Sequence, residues 1–348
     1  MSKARELAEL GAVYDSGALS NRNKIINGAF TVAQRATSVS SSATAGYNTV
    51  DRFRVNVSGA TFNQSQQTVT VGGETGLPTQ FTKFLRHECT TGNDNHFIIT
   101  RIEDVAKFQG NMILSFYAKG SNPSTLGKLS VKFHQHFGSG SSSDVYTTAQ
   151  DLTLTGTWQR FTFNVTMASI TGKTVGAGNY GGVLFGQDTN ASTEAWTLDI
   201  TGVQLEVGTE ATPFEHRSFG QELALCQRYY QLVGRDFSDA TPTTAFGWGY
   251  TTSGSAAEGM FRFEKRMRTA PTFTQSTDQN LDFQTNTGSG AVHSSNAFTS
   301  VVLSEMSAEF TQQNHASNFG GAGQPYFLKW NGVQGTGLSA SIQLDAEL

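Results

Sequence analysis

Between residues 112 and 119 every second side chain is apolar, and that period leaves few structures open. Met112, Leu114, Phe116 and Ala118 alternate with Ile113, Ser115, Tyr117 and Lys119. Side chains two apart share a face only in an extended chain, so this run predicts a strand with one wholly apolar side. Leu129, Val131 and Phe133 repeat the pattern, followed by the flexible loop Gly138-Ser139-Gly140-Ser141-Ser142-Ser143. Trp158, Arg160, Thr162 and Asn164 oppose Phe161, Phe163 and Val165, while Trp196, Leu198 and Ile200 oppose Thr197, Asp199 and Thr201. Short strands spaced by Gly, Ser and Asn turns imply two antiparallel sheets packed face to face over residues 25–215. Strands resume in Phe246-Gly247-Trp248-Gly249-Tyr250, Met260-Phe261-Arg262-Phe263, Val301-Val302-Leu303 and Tyr326-Phe327-Leu328-Lys329-Trp330. A second β-sandwich over 235–348 is the economical reading, with Met267-Arg268-Thr269-Ala270-Pro271 as a turn because Pro cannot continue a central ladder. The fold class is all-β.

Two segments break that pattern. In residues 1–24, Ala4, Leu7, Ala8 and Leu10 form an apolar stripe that Gly11 ends. So short a helix is marginal alone in water. It reads as an attachment segment docking through Leu7 and Leu10, or as a self-packed or disordered arm. In the connector 216–234, a helix over about 218–232 carries Phe219, Leu223, Cys226, Tyr230 and Val233 at alternating spacings of four and three. That is the seam of helices packing on copies of themselves. Two heptads are too few to hold an oligomer alone, and packing on the neighbouring domain satisfies the same pattern.

Bulk properties exclude several classes. At 348 residues the chain exceeds one usual core, so two domains are expected. Only 15% of residues are charged, the net charge is −4 and no basic run occurs, so nucleic acid is not an expected partner. No apolar stretch approaches a membrane span. The opening Met1-Ser2-Lys3-Ala4-Arg5-Glu6-Leu7 lacks the apolar core of a secretion signal. Cys89 and Cys226 are too few and too far apart for a disulfide framework or a zinc site, and are expected to be buried free thiols.

Catalytic chemistry finds little to stand on. Gly176-Ala177-Gly178-Asn179-Tyr180-Gly181 spells a dinucleotide-binding glycine pattern with Asp199 downstream. That motif needs a helix N-terminus at the phosphates, and here Val183-Leu184-Phe185 follows instead. No serine has glycine at both second positions, so the nucleophile-elbow pattern is absent. No repeat of a polysaccharide-degrading β-helix occurs. His134-Gln135-His136 puts two imidazoles on one strand face at a spacing that suits a metal, but the sequence offers no third ligand. The expectation is a non-enzyme with no catalytic residues, no cofactor and no metal.

A resemblance gives these features a setting. Val203-Gln204-Leu205-Glu206, Gly208, Ala211-Thr212-Pro213-Phe214-Glu215 and Arg217 run into Glu222-Leu223-Ala224-Leu225-Cys226-Gln227-Arg228-Tyr229-Tyr230. Earlier come Asn21-Arg22-Asn23-Lys24-Ile25-Ile26-Asn27-Gly28-Ala29-Phe30, Ala33-Gln34-Arg35 and Asp51-Arg52-Phe53. Arg101-Ile102-Glu103, Ser115-Phe116-Tyr117-Ala118-Lys119-Gly120 and Thr157-Trp158-Gln159-Arg160-Phe161 lie between. In this order, over roughly residues 20–235, the blocks resemble a family of tailed-bacteriophage virion proteins, tail fibres and related appendages. The resemblance implies a jelly roll similar to carbohydrate-binding modules. It also implies a homotrimer joined to other virion proteins through the N-terminal segment, located on the virion and assembled in the host cytoplasm. Carbohydrate-binding jelly rolls often hold calcium with an acid after the first Asn-Gly, whereas here Ala29 and Phe30 follow, so none is expected.

Bacterial surface glycans are the expected ligand. A sugar has an apolar C–H face and a hydroxyl rim, so its site needs an exposed aromatic plate beside amides or carboxylates. Tyr47, Tyr146 and Tyr180 fall in expected loops among Asn and Asp, whereas Trp158 and Trp196 read as core. In the distal domain Tyr326 and Trp330 share a strand face, with Asn331 adjoining. The competing reading is a capsid-decorating fibre or tail adaptor with a purely structural role.

Overall fold

The computed structural model describes residues 21–70, 72–91, 96–121, 129–187, 195–233, 245–253, 255–275, 281–285, 291–294, 298, 300–312, 322–330 and 342–348. Leu7 and Leu10 of the expected attachment segment lie outside them. The chain divides into two compact units, with the boundary between Leu223 and Ala224.

The first unit opens with β1 (Ser38–Ser42), β2 (Phe53–Asn56), β3 (Thr61–Thr68), β4 (Lys83–Thr91) and β5 (His96–Ile102). It continues with β6 (Gly110–Ser121), β7 (Leu129–His136), β8 (Val145–Tyr146), β9 (Gln150–Asp151), β10 (Gln159–Met167), β11 (Tyr180–Gln187) and β12 (Trp196–Val207). One sheet runs β1-β3-β4-β12-β6-β10, and the other β2-β5-β11-β7-β8 with β9 also on β7. Every pairing is antiparallel. Met112, Leu114, Phe116 and Ala118 are buried as the alternation requires, in one core with Val131, Phe133, Val183 and Phe185 of the facing sheet. Phe116 meets Phe185 edge to face across that interface, with ring centroids 5.2 Å apart. A second apolar layer of Val69, Leu77, Phe81, Phe84 and Trp158 packs with Tyr117 and Phe214. Trp158 belongs to this layer and Trp196 to the central core, both buried as the sequence implies.

The first and the last of the blocks that carry the resemblance meet in a clasp. Lys24 N–H donates to Leu205 O and Val203 N–H to Gly28 O, each at 2.9 Å. The Asn23 side chain accepts from Ile25 N–H (2.9 Å) and Leu205 N–H (3.1 Å), and donates to Val203 O (3.1 Å). Glu215 accepts from the backbone N–H groups of Asn21 (2.6 Å) and Asn23 (2.7 Å), and Glu222 from that of Asn27. Arg217 donates to Asn23 O (2.6 Å) and Ile25 O (3.1 Å), with Glu222 at 3.5 Å and Glu215 at 3.8 Å. Gly28 is required by this closeness, since a Cβ there would stand 2.1 Å from Val203 O.

The helix differs from expectation. α1 spans Phe219–Gln227 only, and Tyr229 N–H turns back to Cys226 O. The chain then enters β13 (Tyr230–Val233). Tyr230 and Val233 therefore leave the helical seam that Phe219, Leu223 and Cys226 begin. The physical reason is long-range: an aromatic and β-branched run gains more from a ladder than from two extra helical turns when a partner strand is present. The unit boundary also falls inside α1, so 216–234 is not a separate connector. Cys89 and Cys226 are both buried thiols outside any disulfide, as expected.

The second unit adds β14 (Ala245–Thr251), β15 (Ala257–Arg262), β16 (Thr272–Gln275), β17 (Leu281–Thr285) and β18 (Ala291–Ser294). β19 (Ser300–Leu303), β20 (Ser307–Gln312), β21 (Pro325–Trp330) and β22 (Ile342–Asp345) complete it. A seven-stranded sheet runs β18-β17-β21-β14-β15-β20-β19, and a three-stranded one β13-β22-β16. Phe261, Phe310 and Leu328 of the larger sheet share one core with Ile342 and Leu344 of the smaller. This is the second sandwich.

Candidate functional site

On β14 the two faces are divided by residue size. Glycine alternates with Phe246, Trp248 and Tyr250, and the glycine side faces the core. A Cβ at Gly249 or Gly259 would stand within 3 Å of the Tyr326 hydroxyl, so the two bare positions make the space that Tyr326 fills. Trp248 and Tyr250 are turned outward, whereas Phe246, beside a bulge between Ala245 and Gly247, packs on the core with its ring 5.7 Å from that of Phe261. Trp248 is 61% exposed, and Tyr250 and Phe327 are each about half exposed. Register places Trp248 between Phe327 and Met260, Tyr250 opposite Glu258, and Met260 opposite Glu309. Val302 extends the row from the edge strand opposite Glu309.

Trp248, Tyr250, Glu258, Met260, Val302 and Glu309 line a groove of about 390 Å³, within the size range of small-ligand sites. Two carboxylates and a phenol supply its polar groups. The Tyr250 hydroxyl donates to Glu258 at 3.0 Å, and that bond raises its pKa. Thr311 adds a hydroxyl beside Glu309 and Phe310 in the lining. An exposed indole among acceptors can stack on an apolar ring face while the carboxylates take hydroxyl protons.

Of the C-terminal candidates, Tyr326 points into the core rather than to the open face. Tyr326 is 2% exposed and belongs to the core with Leu328, whereas its neighbour Phe327 is on the open face. Trp330 ends β21 in the alternation of Tyr326; its side chain and the whole of Asn331 lie outside the described residues. Trp248, Tyr250, Phe327, Glu258 and Glu309, on the open face, are not singled out by the sequence expectations. The signal was present in the glycines: an aromatic–glycine alternation reads as a strand whose small face admits a bulky core residue, which sends its aromatics outward.

In the first unit the three tyrosines do gather around one sheet, although Tyr146 and Tyr180 sit in strands rather than loops. Tyr146 is on β8 opposite His134, and Tyr180 begins β11 opposite His136. Tyr146 lies flat on the His134 ring, 4.1 Å between centroids and 6° from parallel, and the residue as a whole is about half exposed. Tyr180 is buried, with the Arg101 guanidinium over its ring at 4.5 Å. Tyr47 stands beside Gly46, which bridges to Val55 on β2, and Arg35 covers its ring at 5.1 Å. Of the three, Tyr146 alone is mostly open.

The loop 138–143 returns the chain so that Asp144 reaches both imidazoles. Its carboxylate lies 2.8 Å from His134 Nε2 and 2.9 Å from His136 Nδ1. Burial lowers the pKa of His134 against the raising effect of Asp144. Burial tends to raise Asp144, but the bonds from both histidines outweigh it and its carboxyl lies below the usual range. The glycine motif at 176–181 leads straight into β11 with no helix, as its context implied.

No family model and no curated protein matches the chain. Among solved structures, the N-terminal cellulose-binding domain of Cellulomonas fimi β-1,4-glucanase C is 17% identical, over 42% of this chain and 90% of that one (TM-score 0.28). The family 11 carbohydrate-binding module of the Clostridium thermocellum cellulase Lic26A-Cel5E is 11% identical, over 49% and 97% (TM-score 0.31). The enzymatically active domain of bacteriophage CBA120 tailspike protein 4 is 10% identical, over 53% and 21% (TM-score 0.30).

Proposed function

We propose that this chain is a non-catalytic, glycan-binding appendage protein of a tailed-phage particle, holding bacterial surface glycans on the Trp248 face. The observation that carries the glycan reading is the exposure of Trp248, Tyr250 and Phe327 on one sheet face beside Glu258 and Glu309. The particle setting is supported by the ordered blocks of the first unit that resemble phage virion proteins. Single weak contacts become useful when several copies act together, which the proposed homotrimer supplies.

Tryptophan fluorescence of the intact protein, titrated with oligosaccharides from bacterial surface polysaccharides, tests this directly. Of the chain's four tryptophans, Trp158 and Trp196 are buried, so quenching by ligand reports chiefly on the distal sheet. Trp248→Ala is expected to weaken binding about thirtyfold, the equivalent of about 2 kcal/mol for a hot-spot aromatic. Full binding by that variant would remove the face from the proposal. Release of reducing sugar during titration would overturn the non-catalytic reading.

The same face gives a second reading some support. Val302 is 65% exposed, and an apolar patch rimmed by charge also suits contact with another particle protein. Binding of no bacterial polysaccharide would favour that structural role, as a capsid decoration or tail adaptor. Native mass by light scattering is expected to give three copies, and a monomer would remove the self-assembling fibre.

A further inference from the structure

The His134–His136–Asp144 cluster belongs to the first unit, whereas the groove that carries the glycan reading is built wholly from residues of the second. Alternation on β7 sends His134 and His136 to the same side, and the 138–143 loop delivers a carboxylate to both. One ligand atom from each residue lies within 4.8 Å of the other two. Two imidazoles and a carboxylate converging this way are a donor set for a first-row divalent cation.

The rings are held in place by neighbours. His134 is clamped by the parallel face of Tyr146 at 4.1 Å and the edge of Tyr180 at 5.4 Å. His136 packs on Tyr180 at 4.7 Å. Fixed rings reduce the ordering cost of ligation. A third of each of the His136 and Asp144 side chains remains exposed, which gives an ion an entrance and lets water complete its coordination.

We propose that His134, His136 and Asp144 form a binding site for a divalent transition-metal ion of the zinc class. The imidazoles ligate as neutral rings, each turning its proton to the nitrogen away from the ion. The hydrogen bonds to Asp144 are exchanged for metal–ligand bonds, and bound water takes the remaining positions.

The test uses the whole protein, stripped with chelator and dialysed. Calorimetric titration with Zn²⁺ is expected to show one site, and Zn²⁺ to raise the thermal midpoint of the first unit. Co²⁺ is expected to give the visible absorption of a low-symmetry nitrogen–oxygen site, a readout in the unmutated chain that needs no variant to fold. His136→Ala should abolish the Zn²⁺ heat, and Asp144→Asn should weaken binding by at least about tenfold, at the lower end of what altered metal sites lose. His216→Ala, at a histidine among Phe81 and Phe214, should leave it unchanged. Absence of Zn²⁺ heat and Co²⁺ absorption in the unmutated protein, or equal affinity in the His136 and Asp144 variants, would overturn the site.

Discussion

Lowering the pH from 6.5 to about 4 is expected to take about 3 kcal/mol from the stability of the first β-sandwich through His96 alone, a large share of the margin of an ordinary domain. His87 and His96 are fully buried with their Nε2 atoms 2.9 Å apart, between Phe62 and Trp196. Burial holds His96 down to about 4, and burial with the neighbouring His96 holds His87 well below its ordinary value. Both therefore stay neutral in the folded chain while the unfolded chain takes up protons below about 6.5. The unfolded state binds more protons throughout that window, so stability is complete above it and falls as pH drops. With both histidines titrating, the slope reaches about 2.7 kcal/mol per pH unit. Urea unfolding followed by tryptophan fluorescence, with Trp196 packed against the pair, checks this, and His87→Gln with His96→Leu should flatten the dependence. A midpoint unchanged between pH 7 and 4.5 would show that the pair is not buried neutral.

Breaking the clasp should be as costly. Arg217→Ala is expected to destabilise the first unit by about 3–5 kcal/mol, because it strips two backbone carbonyls of a donor and leaves Glu222 without its cation. Arg217→Lys keeps the charge but loses the two-pronged donor, and should recover only part of the loss. Chemical denaturation of the three proteins decides it. A change below about 0.5 kcal/mol for Arg217→Ala, the range of ordinary surface substitutions, would mean the clasp contributes little.

These two networks show where sequence reading stops. Strands such as β6 were legible because one face is buried throughout, and the period of two then appears in the residues themselves. The end of α1 was not, since Tyr230 and Val233 obey both a helical seam and a strand, and only β22 decides between them. On β21 the adjacent aromatics Tyr326 and Phe327 fit either face, and the glycines of β14 and β15 settle which goes inward. Asp144 carries no mark of its partnership with His134 and His136, because the loop before it sets the geometry. The resemblance blocks are readable as an ordered set, but that the opening and closing ones are mutual hydrogen-bond partners needs the folded chain.

The clasp also sets an order in time. Asn21 and Glu215 are 194 positions apart, and Asn27 and Glu222 are 195 apart. A chain emerging from the ribosome can pair β3 with β4 and then β6 with β10, yet the second edges of β4 and β6 wait for β12, and the opening segment waits longer still. Contacts this distant in sequence slow folding and leave apolar strands uncovered meanwhile. Nascent chains truncated before residue 215 should thus remain protease-sensitive, and protection of the first unit should arrive abruptly once Arg217 and Glu222 have cleared the exit tunnel.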